Sequence, residues 1–419
     1  MEGVIHKSIV ILALVIGVGS ATARPNIVTG TNNSAVDIRA VQAAVDEGGD
    51  VILTGHFSFD AVPSTPAGAA YARIVTVSKS VFISGSPDAN GDMPTISGGN
   101  WPFFIDAAGA RVSIRGLRFV GPKAGAIWVY AVAGLSIANC RIEGVISTAE
   151  FGVQAGVSGT NLAGGIAVFG DPHPPSVNFP GHPENFSGGM EIVNNYIDMA
   201  GQPAALHLGI TFFSVGTSPD REVDIHIARN TVLNVTEPAI DLGFISGRIL
   251  LERNRITTGS VSGPAMNPDA VRILGSGRYL ITHNSIDCGW PEPTATGLNV
   301  YGNIRSSSNS AVVIDNDVTM SAPEGIAFAT NSAGIEIGGV AAGAAAINNR
   351  VRGRAAAALS VYDRSGNIPA DTTLIGNDFV GFQGSIGDVF VDAGVSGTVI
   401  VGPQMRIEDR GSSTTVVTK

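Results

Sequence analysis

Apolar residues along the chain alternate with polar ones in short bursts, and the bursts recur. ILLERNRITTG at 249–259 returns as YLITHNSIDCG at 279–289, AVVIDNDVTMS at 311–321, AAAINNRVRGR at 344–354 and TTLIGNDFVGF at 372–382. Upstream copies are LSIANCRIEGV at 135–145, MEIVNNYIDMA at 190–200 and IHIARNTVLNV at 225–235. Each has alternating apolar residues, a polar notch, and another apolar residue two places later. Alternation with period two is the mark of a strand, and self-similarity at roughly 20–50 residues marks a repeat architecture.

A further alternating segment precedes each copy, as in Ile240-Asp241-Leu242, Val271-Arg272-Ile273 and Leu298-Asn299-Val300. Each unit therefore carries three short strands, the last two divided by the notch. No unit shows a sustained 3.6-residue pattern, which excludes helical repeats, and adjacent copies are too short for propeller blades. A coil remains, in which each strand pairs in parallel with its equivalent one turn later, right-handed by the strong default for such connections. The notch residues Asn195, Asn230, Asn254, Asn284, Asn316, Asn349 and Asn377 then stack in one inward ladder. The amide of Asn can donate to one neighbour and accept from another, and Asn tolerates the left-handed conformation of a tight turn.

The open end of such a coil needs a cap. SAVDIRAVQAAVDEGG at 34–49 supplies one: Ser34 is placed to cap a helix, Ile38, Val41 and Val45 share a face, and Gly48 ends it. With DVILTGHFSF, IVTVSKSVFISGS, IRGLRFVG and the Asn ladder following, residues 34–400 resemble the right-handed parallel β-helix proteins of the pectin-lyase-like superfamily. The resemblance implies an all-β solenoid. The superfamily contains lyases, glycosidases, esterases, epimerases, adhesins and phage tailspikes, so the fold alone selects no activity. The expected organisation is a leader at 1–23, a capping segment at 24–50, the coil at 51–402 and a tail at 403–419.

The leader follows from the run Ile9–Val18 and Ala21-Thr22-Ala23, too short to span a bilayer and suited to a secretory signal. A secreted protein without a membrane span in its mature form is the expectation. Net charge −10 with only four lysines (Lys7, Lys79, Lys123, Lys419) argues against a nucleic-acid partner. Two cysteines, Cys140 and Cys288, fall four turns apart in this register and are expected to be free. A monomer is expected.

Outward positions carry the candidate chemistry. The middle residues of the first strands form a column read as Phe104, Trp128, Ala167, His207, Asp241, Arg272, Asn299, Ala327 and Ser360. A second column two residues later includes Tyr130, Phe169 and Tyr301. An aromatic patch (Phe104, Trp128, Tyr130, Phe169) would run into a polar strip (His207, Asp241, Arg272, Asn299, Tyr301), a combination suited to sugar rings. Long connections from Ile142 to Ile166, Ile256 to Val271 and Ile286 to Leu298, with excursions at 170–188 and 209–223, would wall it.

A polysaccharide partner follows, with a lyase or epimerase reaction on a uronate-containing glycan, or a non-catalytic glycan-binding surface as the alternative. In the first reading Arg272 neutralises the carboxyl or acts as base, His207 or Tyr301 moves the proton, and Asp241 orients Arg272 or holds a metal. Asp269 and Glu237 are candidates for the second carboxylate of a hydrolase. No cofactor is specified, and calcium through Asp315 and Asp317 lacks a ligand loop. FGDPHPP at 169–175 resembles the Tyr-Gly-x-Asp-Pro-His motif of β-helical alginate epimerases, with Phe169 for Tyr and the spacer absent. There is no Asp-Asp dipeptide and no Gly-His-Gly of the polygalacturonase-like glycosidases.

Overall fold

The structure is a computed structural model describing residues 24–60, 73–145, 153–154, 161–169, 183–199, 206–213, 215, 223–259, 268–275, 277–302, 310–339, 343–363 and 368–418. The expected leader lies outside the described residues. One turn of the coil is formed by strands Ile240–Ile245, Gly247–Glu252 and Arg255–Thr258. The next is formed by Asp269–Gly275, Arg278–Thr282 and Ser285–Cys288. Each strand pairs in parallel with its successor, as in Asp241 with Arg272, Arg248 with Arg278 and Ile256 with Ile286. Three parallel sheets result, called here first, second and third after the order of strands within a turn. The described residues form a parallel β-helix of the right-handed kind. Within them only Val153–Gln154 pairs antiparallel, against Asn161 and Leu162.

Inward residues make one continuous core. Ile240, Leu242, Val271, Ile273, Leu298 and Val300 are wholly buried within it. The period-two alternation has this cause: a residue facing the axis must be apolar, whereas its neighbours face outward.

The ladder is as expected. Asn284 donates through Nδ2 to Leu251 O, Thr282 O and Asn316 Oδ1, while its own Oδ1 accepts from the N–H and Nδ2 of Asn254. The same arrangement joins Asn195 to Asn230, Asn230 to Asn254, Asn316 to Asn349 and Asn349 to Asn377. Cys140 occupies the rung before Asn195, whose Oδ1 accepts the Cys140 N–H at 2.9 Å. Both cysteines are free and buried.

One detail differs from expectation. The left-handed residue of each turn is the one before the ladder position: Asn194, Arg229, Arg253, His283, Asp315 and Asn348 have φ from 53 to 57°. The ladder Asn is selected by its two-sided hydrogen bonding, not by its backbone.

The cap is helix α1 (Ser34–Glu47). Its N-cap is Asn33, one residue before the expected Ser34, and the Asn33 Oδ1 accepts from the Ala35 N–H at 3.1 Å. Val41, Ala44 and Val45 seal the core, and Gly48 ends the helix at φ 76°. The coil boundaries also differ from those expected. Strand Asn26–Thr31 precedes the helix and pairs with Gly49–Ser58. Strands Ile407–Asp409 and Thr415–Thr418 continue the stack past 402, so the expected tail is coil. Among the described residues no helix is long and apolar enough to cross a membrane.

Candidate functional site

The outward column of the first sheet is built by register. Ala167 pairs with Thr211, Thr211 with Asp241, Asp241 with Arg272 and Arg272 with Asn299. Asn299 pairs with Glu336, Glu336 with Ser360 and Ser360 with Phe390. Two expected members are displaced. His207 pairs with Ala163, four residues short of the column, and Thr211 takes the place assigned to it. The segment LHLGITFF contains two alternating runs, and only the second continues into Ile240-Asp241-Leu242. Ala327 is not in a strand at all, and AGIEIG at 333–338 supplies Glu336 instead. Ile326-Ala327-Phe328 alternates as a strand does, but it lies outside the sheet. The signal existed, since Glu336 precedes Asn349 by the interval at which Asp241 precedes Asn254.

These outward residues are not a solvated face. Thr211, Asp241, Asn299, Glu336 and Ser360 are buried, as are Glu237 and Asp269 beside them. Arg272 keeps 15% of its side chain exposed and grips Asp241 with both arms of its fork, Nε to Oδ1 at 2.9 Å and Nη2 to Oδ2 at 2.6 Å. Asn299 donates through Nδ2 to both oxygens of Asp269 at 3.2 Å. Burial would by itself lower the Arg272 pKa. The charge of Asp241 and its hydrogen bonds, with the fields of Tyr301 and Asp269, outweigh that and raise it above the ordinary guanidinium value. A guanidinium so held stays charged. Tyr301, one strand residue beyond the Asn299–Val300 pair, is half-buried.

The aromatic patch is a second small core, not an open platform. Trp101, Phe104, Trp128 and Phe169 are buried in one cluster outside the coil, with Tyr130 and Phe213 packed at its margin. Trp128 stacks edge-on to Phe104 at 4.8 Å between centroids and donates its indole N–H to Phe169 O at 3.1 Å. The Arg73 guanidinium covers Phe104 at 3.9 Å. Phe104, Trp128 and Phe169 therefore spend their faces on one another, and only Tyr130, set off by a bulge between Ile105 and Asp106, is half-exposed.

Among the described residues no three of His, Cys, Asp and Glu converge to hold a metal. Asp317 is engaged by Arg352 at 2.7 Å, and Asp315 lies 3.8 Å from His283. Asp171 and His173 of FGDPHPP lie outside the described residues, as do most of the connections expected to wall the strip; 209–213 belongs to strand Leu206–Phe213.

No family model matches the sequence, and no curated protein matches it. Solved structures do. The chain is similar to the A-module of the mannuronan C-5 epimerase AlgE4 of Azotobacter vinelandii, at 12% identity over 91% of this chain and 93% of that one, with TM-score 0.47. It is similar to a double mutant of the tailspike protein of E. coli bacteriophage HK620, at 14% identity over 89% and 68%, TM-score 0.47. A third likeness is to DFA-IIIase from Arthrobacter chlorophenolicus A6 without its lid, at 13% identity over 95% and 97%, TM-score 0.42.

Proposed function

We propose that this is a secreted polysaccharide-active protein whose reaction is abstraction of the proton alpha to a uronate carboxyl, ending in lyase or epimerase chemistry at the Asp241–Arg272 strip. The observation that carries the reading is the Arg272 guanidinium. It is held permanently charged and in fixed orientation by a buried carboxylate, yet keeps an exposed edge. Proton abstraction beside a carboxylate builds negative charge that a preoriented cation stabilises. Asp241 acts as the positioning residue, and the phenol of Tyr301, whose field reaches Arg272, is the group to move the proton. Secretion is supported by the Ile9–Val18 run and the small residues after it.

A second reading, glycan binding without turnover, is favoured by the burial of Asp241 and Glu336, which keeps both carboxylates from reaching a bound sugar as acid or base. The two are separated by following ultraviolet absorbance of unsaturated chain ends on alginate, pectate and other uronate polymers, with epimer ratios from proton NMR. Turnover that falls about 100-fold in Arg272→Lys, which keeps charge but loses the fork, supports the catalytic reading. Turnover unchanged by Arg272→Ala, or absent on every polymer, sinks it.

A further inference from the structure

The second sheet carries a groove of its own. Its outward face holds a hollow of about 640 Å³ running from Asp50 past Ser113 and Ser136 to Glu191, and another of about 590 Å³ running from Glu191 to Val312. They meet at Gly189 and Glu191, which line both. At about 4.8 Å per turn the joined groove is roughly 38 Å long.

Gly189 is the informative residue. Its neighbour Gly188 needs to be glycine, with φ 73° and the Ala133 carbonyl 2.3 Å from where a Cβ would sit. Gly189 has no such reason: its φ lies outside the left-handed region and a Cβ there would meet nothing within 4 Å. Glycine within a strand weakens it, and one of its uses is to let a ligand approach the backbone closely. Here it keeps the groove open at its waist. We infer that the groove binds an extended, uncharged, hydroxyl-rich glycan chain, passing over Gly189 along the coil axis.

The chemistry of the lining selects that ligand. Strand Gly189–Val193 is paired on both sides, so an extended peptide finds no backbone edge to join. Neither charge dominates: Asp50, Glu191 and Asp224 share the lining with Arg111, Arg248 and Arg278, and Arg248 grips Asp224 at 2.6 Å. That balance neither attracts nor repels a polyanion strongly. The hydroxyls of Ser113, Ser136 and Ser310, each able both to donate and to accept, line the same groove as Leu250 and Leu280, matching the polar edges and apolar faces of sugar rings.

This inference does not rest on the strip reading. The test is affinity electrophoresis through gels containing xylan, mannan or dextran, with Kd from calorimetry on the octasaccharide of the retained polymer. Wild type and Arg272→Ala should be retained alike, whereas Gly189→Phe, which plugs the waist into open space, should weaken binding at least tenfold, and Glu191→Ala should weaken it too. Far-ultraviolet circular dichroism and Tm establish that each variant folds. A folded Gly189→Phe retained as strongly as wild type overturns the proposal, as does a wild type retained by none of the three glycans. Sedimentation showing a dimer that the plug dissolves would also overturn it, assigning the face to a second copy. Turnover on uronate polymers is read separately, so failure of the groove and failure of the strip are distinguishable.

Discussion

Arg253 and Asn254 divide one tight turn between them. Arg253 takes the left-handed conformation at φ 53°, and Asn254 turns its amide inward to bond along the stack. A non-glycine residue in that conformation is strained by about 1 kcal/mol, and the Arg253 side chain is exposed. Arg253→Gly should therefore raise stability by up to about 1 kcal/mol, with the greater chain entropy that glycine gives the unfolded state as the opposing cost. Asn284→Ala should do the reverse, by about 3 kcal/mol, because it removes five buried hydrogen bonds at once, two accepted from Asn254 and three donated to Leu251, Thr282 and Asn316. Urea unfolding midpoints check both, and an Asn284→Ala midpoint equal to that of wild type would mean that the rung adds nothing to stability. The ladder positions were legible because a buried amide must recur where its partners recur. Their backbone was not, since the sequence shows a pair of adjacent polar residues and does not say which of them bends.

Among the elements, helix α1 shows how little surface chemistry a cap needs when one carboxylate is well placed. Asp37, almost wholly buried, accepts from the N–H groups of Thr31, Asn33 and Ser58 and from the Thr31 hydroxyl, all within 3.0 Å. It ties the strand before the helix and the strand after it to the first helical turn. Asp37→Ala should cost about 3 kcal/mol, and Asp37→Asn nearly as much, since an amide cannot accept with both ends. Thermal melts against wild type test this. An unshifted Tm in Asp37→Ala would show that the helix is held by Val41 and Val45 alone. Strand register was where sequence reading failed. LHLGITFF offers two overlapping alternations and Ile326-Ala327-Phe328 imitates a strand; period two fixes which residues share a face but not which turn-mate they meet. Hence Thr211 and Glu336 went unseen, while Asp241, Arg272 and Asn299, each between unambiguous aliphatics, were placed correctly. The aromatic patch failed differently: outward direction was right, but direction does not give exposure when Trp128 and Phe169 have each other to cover.

For the molecule as a whole, the apolar axis imposes a pH response. Burial pushes the thiols of Cys140 and Cys288 from the ordinary value of 9.0 up to about 12, and raises the Tyr279 phenol as well. Each holds its proton in the folded chain after the unfolded chain has released it. Stability from these groups is thus complete below pH 9 and is lost progressively between pH 9 and about 12, at about 1.4 kcal/mol per pH unit for each thiol. Urea midpoints from pH 8 to 11 should fall, and Cys140→Ala with Cys288→Ala should flatten the slope. A wild-type slope no steeper than that of the double variant would place the alkaline sensitivity elsewhere. Below pH 9 both thiols should resist thiol reagents in the folded protein.

The interval between successive asparagine rungs of the ladder ranges from 24 residues, Asn230 to Asn254, to 35, Asn195 to Asn230. The stacking of rungs is unaffected by that variation, because the surplus is spent between the strands. Such a coil behaves as a ruler marked in turns. Duplicating one unit adds a single mark of about 4.8 Å and asks nothing of its neighbours beyond what they already provide. Length is consequently the property that can change in this chain at least cost to its folding. A longer descendant would inherit the same groove, extended by one more turn of the coil.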